Sequence, residues 1–233
     1  MKLSIVIPTF NEERCIRETI LYLRKSLTGK EVQILVSDGG STDNTLSVAK
    51  SAGAEGVLSP QKGRAAQMNF GAAQTTGDVL YFLHADTLPP ADFYNHIETA
   101  LAEGADCGCY RMRFDTDHWF LKANAWFTRF NIPFFRFGDQ SLFVRRQAFE
   151  KAGRFKEDHI VMEDQDLVRR LSRSYRFMVL PQTVTTSARK YLENGVYLTQ
   201  ATFFVIYMGY QLGMSQSHLL RLFRRLLPRQ DKL

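Results

Sequence analysis

Apolar positions along this chain fall first into short continuous runs. Leu3–Ile7, Val32–Val36 and Val79–Leu83 are mostly apolar and stop at polar or turn-forming residues. Runs of this length, rich in β-branched and aromatic residues, suit strands buried on both faces of a parallel sheet. Between them the pattern takes a helical period. A helix is predicted from Glu12-Glu13 to about Ser26, with Asn11 as N-cap and acidic residues in the first turn. Three more are predicted to about Ala52, from Ala65 to about Gln74, and from about Ala91 to Glu103. Glu55–Leu58 reads as a short third strand, Asp106–Phe114 as a longer one and Tyr175–Leu180 as the last. Gly138–Arg146 reads as a polar turn followed by a strand. Ile160–Leu171 opens an amphipathic helix, with Glu163-Asp164 at its start and Leu167, Val168 and Leu171 on its apolar side.

The alternation of strand and helix fits βαβ units joined by right-handed crossovers. The predicted fold class is α/β, a doubly wound and mostly parallel sheet, with a helical C-terminal tail. The chain divides at about residue 188, with 189–233 as the tail. Ala201–Met208 in that tail is strongly apolar but is followed by Gly209, Gln211 and Gly213. It falls short of the roughly 20 residues that span a bilayer. Leu219–Leu227 is a basic amphipathic helix, with Leu219, Leu220, Phe223, Leu226 and Leu227 on one face. Such a helix can lie on an anionic membrane, pack on the domain, or join a second subunit in a homodimer.

Size and charge narrow the picture. The 233 residues are 45% hydrophobic and 23% charged, enough for one large domain with a substantial core. The net charge of +6 is partly local: Arg221, Arg224, Arg225, Arg229 and Lys232 face only Asp231 in the last stretch. The body is only mildly basic, which argues against a nucleic-acid surface. Cys15, Cys107 and Cys109 have neither zinc-finger nor redox spacing and read as buried thiols of a reducing compartment. The first apolar run is too short for a signal peptide. The expected location is the cytoplasm, with the inner face of the membrane as the alternative should the tail bind lipid. The segment 118–135 carries Trp119, Phe120, Trp126, Phe127, Phe130, Phe134 and Phe135. Core packing is the expected use of most of them, with one or two left for stacking on a sugar.

Each early strand is followed by polar residues: Asn11 and Glu12, Asp38, Arg64, and His84 with Asp86. In an open parallel sheet such loops converge beyond the carboxyl ends, where ligands bind. One loop alone reads as strand, turn and helix cap; four together read as a site. Carboxylates, an imidazole and a guanidinium at one edge suit a nucleoside diphosphate with a divalent metal. Mg²⁺ or Mn²⁺ is held by one or two carboxylates plus phosphate oxygens, and Mn²⁺ also accepts imidazole. Asp86 is the natural metal ligand, with His84 two residues away. The glycine-rich dinucleotide and P-loop patterns are absent.

Ser4–Glu13 followed by Val36–Thr45 resembles the opening of family 2 glycosyltransferases. The later landmarks come in order: Lys62-Gly63-Arg64 to Asn69, His84-Ala85-Asp86, the Arg145-Arg146 strand and Glu163-Asp164. The resemblance covers about residues 3–180 and implies the GT-A nucleotide-diphospho-sugar transferase fold. It implies that Pro8, Thr9 and Glu12 hold base and ribose, that Asp38 reads the base edge, and that Arg64 lies near base and phosphates. His84-Ala85-Asp86 stands where the family has Asp-x-Asp, so Asp86 keeps the metal carboxylate and His84 is left as metal ligand or ribose contact. Asp164 matches the general base of inverting members. Arg189 and Lys190 are candidates for the departing diphosphate, and Asp139, Gln140 and Glu163 for the acceptor. The forms Phe82–Thr87, Gly138–Gln140 and Met162–Asp164 also resemble a short bacterial subgroup associated with radical-SAM neighbours and arsenosugar biosynthesis. The implied reaction is inverting transfer from a UDP- or GDP-sugar to an unidentified acceptor hydroxyl. Two rivals stand beside it: transfer to a polyprenyl phosphate at the membrane, suggested by the basic tail, and a non-catalytic nucleotide-sugar-binding module, suggested by His84.

Overall fold

The computed structural model describes residues 1–136 and 138–227. Arg229, Asp231 and Lys232, counted above in the basic tail, lie outside the described residues. β1 (Leu3–Thr9), β2 (Val32–Asp38), β3 (Glu55–Leu58) and β4 (Val79–Phe82) form a parallel half-sheet in the order β3-β2-β1-β4. Side chains alternate across it. Leu3, Ile5, Ile7, Val79 and Tyr81 enter one core, and Val6, Leu80 and Phe82 the other. Both faces are dry, which is why these strands read as continuous apolar runs.

Helices close both faces. α1 (Glu13–Ser26) buries Ile16, Ile20 and Leu23 in the first core, and α4 (Phe93–Ala102) adds Phe93 and Ile97. α3 (Arg64–Ala73) buries Ala65, Met68 and Ala72 on the opposite face, joined there by Leu167, Val168 and Leu171 of α7 (Glu163–Ser174). The short α2 (Thr45–Ser51) packs beside α1.

The second half departs from a parallel plan. β7 (Leu142–Arg145) runs antiparallel to β4 and to β6 (Cys107–Phe114), and β6 pairs in parallel with β8 (Phe177–Thr186). β8 begins two residues later than the pattern predicted and ends six later. A register shift, Tyr110↔Leu180 then Arg111↔Thr183, absorbs Pro181 and lets the ladder continue. The two-residue β5 (Thr87–Leu88), antiparallel to β8, ends the sheet. A one-turn α6 (Arg146–Lys151) follows β7.

Two expectations are corrected. Asn11 does not cap α1: it has φ 54° and its side-chain oxygen accepts from the Thr42 amide, so Glu12 takes the N-cap position. The aromatic segment is not mainly core. α5 (Trp119–Trp126) buries Leu121 and Ala125, whereas Trp119 is 67% exposed and Trp126, Phe127, Phe130 and Phe134 are also exposed. Several meet edge to face, with the Trp126 ring 5.2 Å from Phe127 and 5.1 Å from Phe130.

The tail forms α8 (Arg189–Asn194), α9 (Val196–Gln211) and α10 (Gln216–Leu226). Leu219, Phe223 and Leu227 pack on Ile206 of α9 and on Val161, so the apolar side of the basic helix is spent on the domain itself. Arg221, Arg224 and Arg225 face outward. Among the described residues no helix is long and apolar enough to cross a membrane. The three cysteines are free; Cys107 and Cys109 are buried, and burial pushes all three thiols up to about 12.

Candidate active site

The carboxyl end of the parallel half-sheet is a pair of interlocked loops. The Ser41 hydroxyl accepts from the Asn11 amide at 2.8 Å, Asn11 accepts from the Thr42 amide at 2.9 Å, and Glu13 accepts from the Asn44 amide at 3.1 Å. Asp38 sits at their centre and is 2% exposed. Its Oδ1 accepts from the amides of Gly40 (2.9 Å) and Ser41 (2.7 Å), and its Oδ2 from the hydroxyls of Thr9 (2.9 Å) and Ser41 (2.6 Å). A carboxylate offers about four acceptor positions, and all four are taken by the loop. Pro8 and Thr9 lie opposite Ser37 and Asp38 in the ladder. Gln67, which the sequence did not single out, donates to the carbonyls of Thr9 (2.6 Å) and Ser37 (2.9 Å).

Beside these loops lies a charged cluster drawn from both halves of the chain. Arg64 opens α3 directly after Gly63, whose φ of 110° suits only glycine. Its Nε lies 2.7 Å from Glu163 Oε1, and Glu163 is 1% exposed. Burial drives the Glu163 pKa up against the opposing charge of Arg64. His84 leaves the end of β4, and its Nδ1 lies 2.8 Å from Asp139 Oδ1. Burial works against the His84 imidazolium, but the hydrogen bond and charge of Asp139, then Asp164, outweigh it and raise the pKa. For Asp139, too, burial is overridden by His84, and the carboxyl falls to about 2. Glu12 Oε2 is 3.2 Å from the Arg189 guanidinium, which ties the first loop to the C-terminal helices.

Asp164 is the second residue of α7 and sits against Gly138. A β-carbon on Gly138 would stand 2.1 Å from Asp164 Oδ2 and 3.2 Å from His84 Cε1. Met162 just before it has φ 64°, in the left-handed region, and turns the chain so that Glu163 and Asp164 start the helix. Among the described residues no hydrogen bond or ion pair engages the carboxylates of Asp164 and Asp86. The Asp86 loop is held by backbone: Thr19 donates to the Ala85 carbonyl at 2.6 Å and the Ser187 amide to that of Asp86 at 3.2 Å. Burial, then Asp139 and Glu12, keep the Asp86 pKa above the ordinary range. Burial and the nearby Arg64 lower that of Lys190, against Asp139, Asp86 and Glu12.

The structure therefore brings together Glu12, Arg64, His84, Asp86, Asp139, Glu163, Asp164, Arg189 and Lys190. Pro8, Thr9 and Asp38 form the adjoining loop site. Gln140, expected at the acceptor, turns inward: it is 1% exposed and donates to the carbonyls of Tyr110 (3.0 Å) and Thr128 (3.4 Å). Asp139, also expected there, is already the partner of His84. Neither pairing has a local signal, since the partners lie far apart in the chain.

Among the described residues no three His, Cys, Asp or Glu side chains converge tightly enough to hold a metal alone. The residues nonetheless fit a hard divalent ion completed by phosphate oxygens. Asp86 is a carboxylate among carboxylates with no ion-pair partner among the described residues, and the bond from His84 Nδ1 to Asp139 leaves Nε2 as the ring's other nitrogen.

The family model of glycosyl transferase family 2 matches residues 4–156. The succinoglycan biosynthesis protein ExoA of Rhizobium meliloti is 30% identical over 201 residues, covering 77% of this chain and 61% of that protein. Glucosyl-3-phosphoglycerate synthase of Mycolicibacterium smegmatis is 33% identical over 95 residues, covering 37% of this chain and 31% of that protein. The chain thus spans less than two thirds of both relatives. Among solved structures, a mannosyltransferase from Pyrobaculum calidifontis in complex with GDP-Man and Mn²⁺ superposes with a TM-score of 0.69 at 18% identity, covering 97% of this chain and 72% of that one. Glucosyl-3-phosphoglycerate synthase of Mycobacterium tuberculosis, with Mn²⁺, UDP-glucose and phosphoglyceric acid, gives 0.58 at 19%, covering 78% and 70%. At these identities the superpositions establish a shared GT-A fold.

Proposed function

The chain belongs to glycosyl transferase family 2, and from that premise we propose that it moves a sugar from a nucleoside diphosphate donor to an acceptor hydroxyl with inversion. Asp164 is the general base. The observation that carries this reading is its carboxylate, which among the described residues has no hydrogen-bond or ion-pair partner and lies against the Gly138 backbone beside the paired Arg64–Glu163 and His84–Asp139. The acceptor oxygen bonds to the anomeric carbon as the bond to the diphosphate oxygen breaks. The hydroxyl proton goes to Asp164, and the electron pair leaves with the diphosphate.

The donor nucleotide is assigned to the loops of Pro8, Thr9 and Glu12. Asp38 supports it by shaping the Gly39–Ser41 turn, because all its acceptor positions are already filled. UDP and GDP are the donors to test, being those bound in the similar structures. Asp86, with His84 Nε2, would hold Mn²⁺ or Mg²⁺, which when bound neutralises charge on the leaving diphosphate. Lys190 lies close to Asp86 and Asp139 in the same field, and Arg189 comes to it through Glu12. We place Glu163 and Gln140 in support: Glu163 anchors Arg64, and Gln140 fixes the turn that carries Gly138 and Asp139. Kinship with the radical-SAM-associated subgroup remains a proposal about descent, and the acceptor is argued below from the cavity.

The test is Asp164→Asn. Transfer, measured as nucleoside diphosphate release in the presence of acceptor, should fall by about 10²–10⁴-fold, while calorimetric affinity for UDP or GDP with Mn²⁺ stays within a few-fold. Substantial residual transfer would remove Asp164 as base. In the same titration, chelating the metal should weaken nucleotide binding; unchanged affinity would remove Asp86 and His84 from a metal site.

A further inference from the structure

Asp139, Glu163 and Asp164 line one side of a cavity that is partly open to solvent and continues away from them between largely apolar walls. About 1330 Å³ of space between atoms, part of it open to solvent, is bounded also by Met112, Phe114, Phe135, Met162, Phe203 and Ile206. A concave, largely apolar space with a few converging polar groups beside the carboxylate proposed as base has the makeup of a ligand site. Its polar end, with Arg64, His84 and Lys190, is shared with the residues proposed for the donor's diphosphate and metal. The nucleotide loops lie at the ends of β1 and β2, whereas the apolar part of this space lies between β6, the aromatic segment and α9. Its basic lining is Arg64, His84 and Lys190, and each already faces carboxylates. The apolar part therefore offers no counter-charge for an anionic or sugar-like body.

The mouth is apolar as well. Phe127, Phe134 and Phe204 line the cavity and are exposed, Phe204 by 52%. Phe204 also belongs to an exposed apolar strip of α9, with Val205 and Met208, that Leu212 continues at the helix end. Phe204, Met208 and Leu212 follow at intervals of four residues, which keeps them on one face of the helix. Carboxylates inside, hydrocarbon-lined walls and an apolar exit are the complement of an amphiphile.

We propose that the acceptor is an alcohol head carried on an alkyl or isoprenoid chain, the head presented to Asp164 and the chain lying in this cavity and leaving past Phe204. The role of the head rests on the transferase reading; the place of the chain rests on the cavity alone.

The test is calorimetric titration with methyl, butyl and octyl glucosides below their micellar concentrations. Full burial of a methylene tightens binding by up to about fourfold, so octyl should bind at least about tenfold more tightly than butyl, and methyl hardly at all. Phe204→Asp at the mouth and Ala125→Phe inside should each remove most of that gain while UDP or GDP binding with Mn²⁺ persists. Leu58→Asp, on an exposed apolar residue of β3 far from the cavity, should leave it intact. Affinity independent of chain length in protein that binds nucleotide would overturn the proposal, as would an equal loss in Leu58→Asp. A chain-length dependence without nucleotide binding would uphold the cavity assignment and overturn the transferase reading instead.

Discussion

Where a β-carbon on Gly138 would stand, the carboxylate of Asp164 already lies, at 2.1 Å from Oδ2 and 2.7 Å from Cγ. The obstructed atoms are the end of a side chain, so Gly138→Ala is relieved by turning Asp164 aside. The cost to stability is small and the cost to geometry is not. Transfer should drop about 10²-fold, as expected for a misplacement near 1 Å, with thermal midpoint and nucleotide affinity close to wild type; wild-type turnover would show that Asp164 does not work from this position. At this scale the residue types were legible in the sequence, and several of their partners were not. Asp86, Asp164 and Glu12 stand where strand-end loops and the resemblance put them. That His84 is bound to Asp139, Arg64 to Glu163 and Arg189 to Glu12 depends on distances between loops, which no local pattern carries. Asp38 shows the same limit, because its type suggested a ligand contact and its four hydrogen bonds make it the organiser of its own turn.

α7 delivers Glu163 and Asp164, and besides its apolar side a buried carboxylate outside the site ties it to the domain. Asp166 is 1% exposed; Arg170 Nε lies 2.7 Å from its Oδ2, and Lys156 Nζ 3.4 Å from its Oδ1. Burial opposes its ionisation, but the hydrogen bond and charge of Arg170, then Lys156, prevail and depress the pKa. A depressed carboxylate contributes stability that is present above the unfolded pKa and lost as pH falls through the folded one. Asp166→Asn should therefore destabilise by about 1–3 kcal/mol at neutral pH, and denaturant titrations should show the difference shrinking between roughly pH 5 and 2; a pH-independent difference would rule out the ionic role. Elements of this kind were legible where burial is regular. β1 to β4 and α1 to α4 follow from unbroken apolar runs and helical periods to within about two residues. The antiparallel pairing of β7, the two-residue β5 and the extension of β8 past Pro181 were not, because pairing partners and bulges are decided between strands.

The molecule divides into a parallel half whose contacts are mostly between neighbouring βαβ units and a mixed half whose pairings reach across the chain. The tail adds a third layer by packing α10 on α9, which settles one of the three uses its pattern allowed. The candidate site belongs to neither half alone: Glu12, Arg64, His84 and Asp86 come from the first, Asp139, Glu163, Asp164, Arg189 and Lys190 from the second. The edge pairing of β5 with β8 has its own bearing on this. Thr87 and Thr186 face each other across it, their hydroxyls 3.0 Å apart and 99 residues apart in the chain. Contacts of such separation form late, after the entropy of closing a long loop has been met. During refolding from denaturant, far-UV ellipticity should recover ahead of nucleotide binding, with the binding signal following the slower phase; simultaneous recovery would mean that the first half needs no partner to shape the site. For a nascent chain this means that the loops proposed to hold the nucleotide emerge early, while the completed site waits for β8 to dock.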